Sequence, residues 1–158
     1  MAGNTYGRDK LKGTTKTTGD FNLANRFSFE IDGVLVAGVH TIEGIESETE
    51  IVEYKDGEGG VVQTRPGQHK AGKMTVHKDW SNTLEWYNWR KKVTDGTTER
   101  KSVSVIFHND AGQEAGRMNF YNCWPTKHVL PNFNARNSSH ANERLEMSWE
   151  TMEIKAGG

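Results

Sequence analysis

The chain has 158 residues, room for one domain, and only 34% of them are hydrophobic, a lean supply for a core that suits completion by neighbouring chains. Twenty Lys and Arg stand against twenty-one Asp and Glu, a net charge of −1, which argues against a nucleic-acid coat or a polybasic membrane binder. The single cysteine, Cys123, excludes an intrachain disulfide framework and a Cys-rich zinc site, and reads as a small buried hydrophobe in a reducing compartment.

Residues 1–20 are rich in Gly, Thr and Lys and, Met1 aside, carry only Tyr6 and Leu11 as large apolar groups. Such a segment buries too little to offset its ordering entropy, so a flexible N-terminal arm is expected, followed by one domain over 21–158. No apolar run of signal-peptide length opens the sequence, and the longest apolar stretch, Val34 to Val39, is far too short to cross a bilayer. The expectation is synthesis in the cytoplasm without a signal peptide or membrane anchor. The sequon at Asn137 is then a coincidence.

Phe27, Phe29 and Ile31 alternate with Ser28, Glu30 and Asp32, the period of a half-buried strand. Asp32-Gly33 predicts a type I′ hairpin turn, and Val34 to Val39 a return strand in which Gly38 marks a bulge or a close backbone approach. Next, Glu46, Glu48 and Glu50 share one strand face, where three like charges require water or a basic partner. The glycine-rich, charged stretch 55–73 predicts a long loop of the functional or subunit-ordered kind.

One helix is predicted. Trp86, Trp89 and Val93 recur at helical spacing, Leu84 pairs with Tyr87, Ser81 or Asn82 offers a cap, and Gly96 a stop. Strands resume with Val103, Val105 and Phe107. Asn109 to Gly112 is a turn. Met118, Phe120, Asn122 and Trp124 then share a strand face, and Pro125 ends that strand. After a polar loop from Pro131 to Ala141, Leu145, Met147 and Trp149 define the last strand, closed by Ile154. The fold class expected is mainly β: a small antiparallel β-barrel or sandwich of six or seven strands with one flanking α-helix.

Catalytic chemistry finds no support. Gly67 to Met74 matches the spacing of a phosphate-binding loop, but Met74 lacks the hydroxyl that holds Mg²⁺, and no helix follows. The six histidines form no paired metal motif, and no nucleophile elbow occurs. The expectation is no catalytic residues, no metal, no cofactor and no enzyme activity. A carbohydrate-binding β-sandwich, with Trp80, Trp86, Trp89 and Trp124 as stacking platforms, is an alternative of a different class.

Several blocks in fixed order resemble the tail-tube protein family of contractile phage tails and phage-like injection systems. They are Phe29-Glu30-Ile31-Asp32-Gly33, Ile42-Glu43-Gly44-Ile45, Glu48-Thr49-Glu50, Glu53-Tyr54 and Arg65-Pro66-Gly67. They continue through Trp86, Trp89-Arg90, Asp110-Ala111-Gly112, Asn119-Phe120, Trp124-Pro125-Thr126-Lys127 and Glu143-Arg144-Leu145-Glu146. The resemblance spans Phe27 to Ile154. It implies a tail-tube-like barrel, a structural subunit assembling as stacked hexameric rings inside a contractile sheath, with a channel for protein effectors or DNA. It implies as partners further copies of the chain, a sheath protein, baseplate or spike, tape-measure or cap proteins, and cargo. The particle would be a phage tail or an injection particle, the latter released outside the cell. The type VI secretion ring-forming tube protein is the alternative that shares this architecture. On this resemblance Lys55, Asp56, Glu58, Arg65, His69, Lys70 and Lys73 belong to a loop reaching a neighbouring subunit or ring. Glu46, Glu48 and Glu50 lie near the lumen or a subunit contact, and Trp86, Trp89 and Val93 pack the helix.

Overall fold

The computed structural model describes residues 26–81, 83–136 and 140–156. The expected arm at 1–20 and the sequon at 137–139 lie outside the described residues. Alternation places Phe27–Ile31 (β1) in a strand with Phe29 buried. Asp32 and Gly33 take φ of 49° and 79°, as a type I′ turn demands. The return strand is shorter than expected, Val34–Leu35 (β2). Val36 enters the core, and Gly38, at φ 82°, turns the chain so that the Asp79 N–H donates to its carbonyl.

Val39–Lys55 (β3) and Val62–Asp79 (β4) form one long antiparallel hairpin. The stretch 55–73 is therefore not a long loop: only 56–61 is loop, because β3 supplies a ladder partner for most of the rest. Pro66 and Gly67 escape breaking the strand because the register shifts there, between Thr49↔His69 and Ile51↔Pro66.

Glu85–Thr94 (α1) buries Trp86 and Trp89, with Val93 half-buried, as the spacing predicts. Its start differs. Leu84 holds the N-cap position with no side-chain cap, Ser81 Oγ instead lies 2.9 Å from Thr83 Oγ1, and Asn82 is outside the described residues. Leu84 and Tyr87 are both exposed, so they do not extend the apolar face. The helix ends at Gly96, φ 93°, in a Schellman motif: Thr97 N–H donates to the Lys92 carbonyl and Gly96 N–H to that of Val93.

Lys101–His108 (β5), Glu114–Val129 (β6), Asn142–Trp149 (β7) and Thr151–Ala156 (β8) complete the fold. β6 does not stop at Pro125. At Asn122, φ 55°, an extra residue shifts its phase, so Phe120, Cys123 and Pro125 are buried while Asn122 is exposed and Trp124 half-buried. Over 124–129 its ladder partner is β7, which leaves one side free to take the missing proline N–H.

The order β2-β1-β5-β6-β7-β4-β3, with β8 also beside β6, makes eight antiparallel strands rather than six or seven. β6 serves two sheets. Its first half pairs with β5 and β8, its second with β7, and the bend at Asn122 folds one sheet toward the other. Phe29, Met74, Val103, Phe120, Leu145, Met147 and Trp149 fill the space between, joined by Trp86 and Trp89 from the helix. The mainly antiparallel, one-helix fold expected from the sequence is present, but its hydrogen-bonded path is open, running from β2 to β3 without closing.

Candidate assembly surface

β7 pairs with β4 only from Gly72 to Asp79. Beyond Gly72 the hairpin has no third strand among the described residues, so residues 47–71 project as a two-stranded arm. At ~3.3 Å per residue the arm is about 30 Å long. Its edges carry unpaired backbone groups, and Ile51 and Val61 are 70% and 82% exposed. A two-stranded ribbon is marginal in water by itself.

The expected site residues fall on this hairpin. Glu46, Glu48 and Glu50 are exposed on β3, Lys55 ends that strand, Asp56 and Glu58 lie in the turn, and Arg65, His69, Lys70 and Lys73 line β4. Acid and base thus segregate to opposite strands. Glu46 pairs in register with Lys73, and Glu48 Oε1 lies 3.6 Å from Lys70 Nζ. The chain itself thus sets a basic residue against Glu46 and Glu48, while Glu50 has no cationic partner among the described residues. Thr49 Oγ1 and His69 Nδ1 are 2.8 Å apart. Toward the tip, Tyr54 donates to Gln63 Oε1 at 2.7 Å while the Arg65 guanidinium lies over its ring.

A buried network anchors the hairpin's other end. Lys78 Nζ is 3.0 Å from Glu143 Oε1, His128 Nε2 is 2.8 Å from Glu143 Oε2, and Lys78 Nζ sits 4.6 Å from the centre of a Trp86 ring. Neither Lys78 nor Glu143 was expected in the core, although the signal was present. Lys78 continues the inward series Met74, Val76, and Glu143 begins the inward series Leu145, Met147, Trp149.

Burial pushes the Cys123 thiol up to about 12, so it is no nucleophile at neutral pH. At the surface, the guanidinium of Arg117 holds Glu114 below the usual carboxylate range, and the ammonium of Lys92 does the same for Glu99. No group of three His, Cys, Asp or Glu among the described residues is placed to hold a metal ion. No helix among them is long and apolar enough to cross a membrane. Trp86 and Trp89 are buried, so they offer no stacking platform for a sugar.

β2, β3 and β8 each pair with one strand only, and the arm is bare, so the sheet offers free edges of the kind a subunit assembly can pair. The family model described as T4-like virus tail tube protein gp19 matches residues 23–153, and the chain belongs to that family. The family is one of tail tube proteins. No curated protein matches the sequence significantly.

The fold is similar to a chain in the sheath–tube complex of an extracellular contractile injection system, PVC, in its extended state. That match has a TM-score of 0.79 and 21% identity, and covers 91% of this chain and 98% of that one. A chain in the tube-terminating cap structure of the anti-feeding prophage has a TM-score of 0.76 and 22% identity, covering 90% and 99%. Hcp1 from Flavobacterium johnsoniae is more distant, with a TM-score of 0.52 and 19% identity, covering 84% and 96%.

Proposed function

We propose that this chain forms the inner tube as stacked hexameric rings within a contractile sheath, enclosing a channel for protein effectors or DNA. The observation that carries this reading is the two-stranded arm, with its free edges and exposed Ile51 and Val61. Neighbouring copies supply what the arm lacks. The acidic β3 edge of one copy meets the basic β4 edge of the next, which makes Glu46, Glu48 and Glu50 subunit-contact residues and extends the sheet around the lumen. The role is structural, without catalysis.

Sheath, cap and baseplate proteins are the partners this reading implies, since the similar folds come from a sheath–tube complex, a tube-terminating cap and a baseplate. The extracellular-particle tube is favoured over the type VI ring protein by the TM-scores of 0.79 and 0.52. Negative-stain microscopy of the full chain tests the reading. Six-fold rings or tubes are expected, and a monodisperse monomer at every concentration would overturn it. Changing Glu46, Glu48 and Glu50 together to Gln should impair ring formation. Unchanged assembly would remove these residues from the contact.

A further inference from the structure

A groove of about 360 Å³ separates α1 from the β1–β2 hairpin. Ile31, Val34 and Val36 line one side, Trp86 and Trp89 the other. An apolar cavity of roughly 150 Å³ suffices for a benzene ring. The rim is charged. Lys92 is paired with Glu99, and Lys101 lies over the Trp89 ring at 5.4 Å. Asp32 and Glu85 have no cationic partner among the described residues, so acid predominates at the opening.

The loop after β6 carries the complementary feature. Phe133 is 78% exposed, the most exposed aromatic ring among the described residues, and it does not line its own chain's groove. Asn134 Oδ1 accepts the Arg136 N–H at 3.0 Å, a turn that keeps the guanidinium-bearing residue close in sequence and space to Phe133. Arg136 has no carboxylate partner among the described residues.

We infer that Phe133 of one copy inserts into the α1/β1–β2 groove of a second copy, with Arg136 meeting Asp32 and Glu85 at its rim. The groove is mixed in character: its floor of Val36, Trp86 and Trp89 is largely covered, and exposed Val34 and half-buried Ile31 are what a phenyl ring would meet. A charged rim surrounds them, the arrangement by which interfaces anchor an aromatic side chain. Knob and groove are different surfaces of the same chain, so the contact is heterologous and propagates around a ring or along a stack. The inference rests on the tube-subunit reading for its second copy, but it names a contact independent of the arm.

The test uses the full chain carrying Asn88→Cys and Asn132→Cys, which keeps the Phe133 ring and places one thiol beside it, assembled and then oxidised. Asn88 lines the groove, and buried Cys123 stays out of the exchange. A ladder of disulfide-linked oligomers on a non-reducing gel is expected, absent from either single variant. Phe133→Ala, at an exposed position that leaves the fold intact, should raise the concentration needed for assembly about tenfold. Arg136→Glu should weaken assembly and Glu85→Arg should rescue it. Tubes that form without the ladder, together with unaltered assembly of Phe133→Ala, overturn this contact while sparing the tube reading. A wild-type chain that never assembles overturns both.

Discussion

Lys78 and Glu143 form an ion pair that is almost wholly withdrawn from water, at 2% and 3% exposure, between the register neighbours β4 and β7. Removing one partner leaves the other charge buried alone. Lys78→Met or Glu143→Leu should each lower stability by about 3–5 kcal/mol. The double variant should recover part of that loss, since two apolar side chains replace the ion pair, while His128 Nε2 still loses Glu143 Oε2. Denaturant unfolding of the four proteins closes the cycle, and strict additivity would contradict the coupling.

Gly72 lies under the Trp149 indole, and a Cβ added there would meet the ring at 2.1 Å. Neither the β4 backbone nor a buried indole has room to give. Gly72→Ala should cost about 1–3 kcal/mol through overpacking. In a Trp149→Phe background the same change should cost less, because the atoms it meets belong to the six-membered ring of the indole. Equal penalties in both backgrounds would place the strain elsewhere.

Asp32 combines positive φ with two hydrogen bonds. Its N–H donates to the Ser102 carbonyl at 2.8 Å, and its Oδ1 accepts the Ser102 N–H at 2.9 Å. Asp32→Asn keeps both the left-handed tolerance and an acceptor, and should be nearly silent. Asp32→Ala loses both and should cost about 1–2 kcal/mol, the typical penalty for a side chain without that tolerance. Thermal unfolding ranks the variants, and equal melting temperatures for Asn and Ala would refute the assignment.

Cys123 makes stability fall at high pH. Its thiol ionises near 9.0 when unfolded and only near 12 when folded. Between those values the folded chain binds the extra proton, so rising pH favours unfolding. Cys123→Ser removes this ionisation, and Cys123→Ala does so without adding a hydroxyl. The Ala variant should show a flatter stability profile above pH 9.0 than the wild type. In the native protein a thiol reagent should react only as the chain unfolds.

Local pattern carried a good part of this structure. The alternation of β1, β5 and β7, the Asp32-Gly33 turn, the Trp86/Trp89 face and the Gly96 stop all depend on neighbours within a few residues. What escaped depends on distant partners. Pro66 and Gly67 read as loop because their tolerance comes from a register shift against β3. Pro125 read as a strand end because its tolerance comes from an absent neighbour beside β6. The acidic run read as repulsive because Lys70 and Lys73 oppose it from a segment mistaken for loop. The residues expected in a reaching loop lie on the hairpin, whose form required the ladder.

The opposed charges of β3 and β4 also govern encounters between free subunits. When two arms collide with matching strands facing, acid meets acid or base meets base, and the pair separates. When β3 faces β4, attraction holds the pair long enough for backbone hydrogen bonds to form. In the proposed ring, sorting of partners would therefore occur at first contact, before the ring closes. Salt of roughly 1 M shortens the reach of charge to about 3 Å and removes that discrimination. Growth under such conditions should yield misordered sheet aggregates, whereas finished tubes, once closed by backbone hydrogen bonds between arms, should survive the same salt.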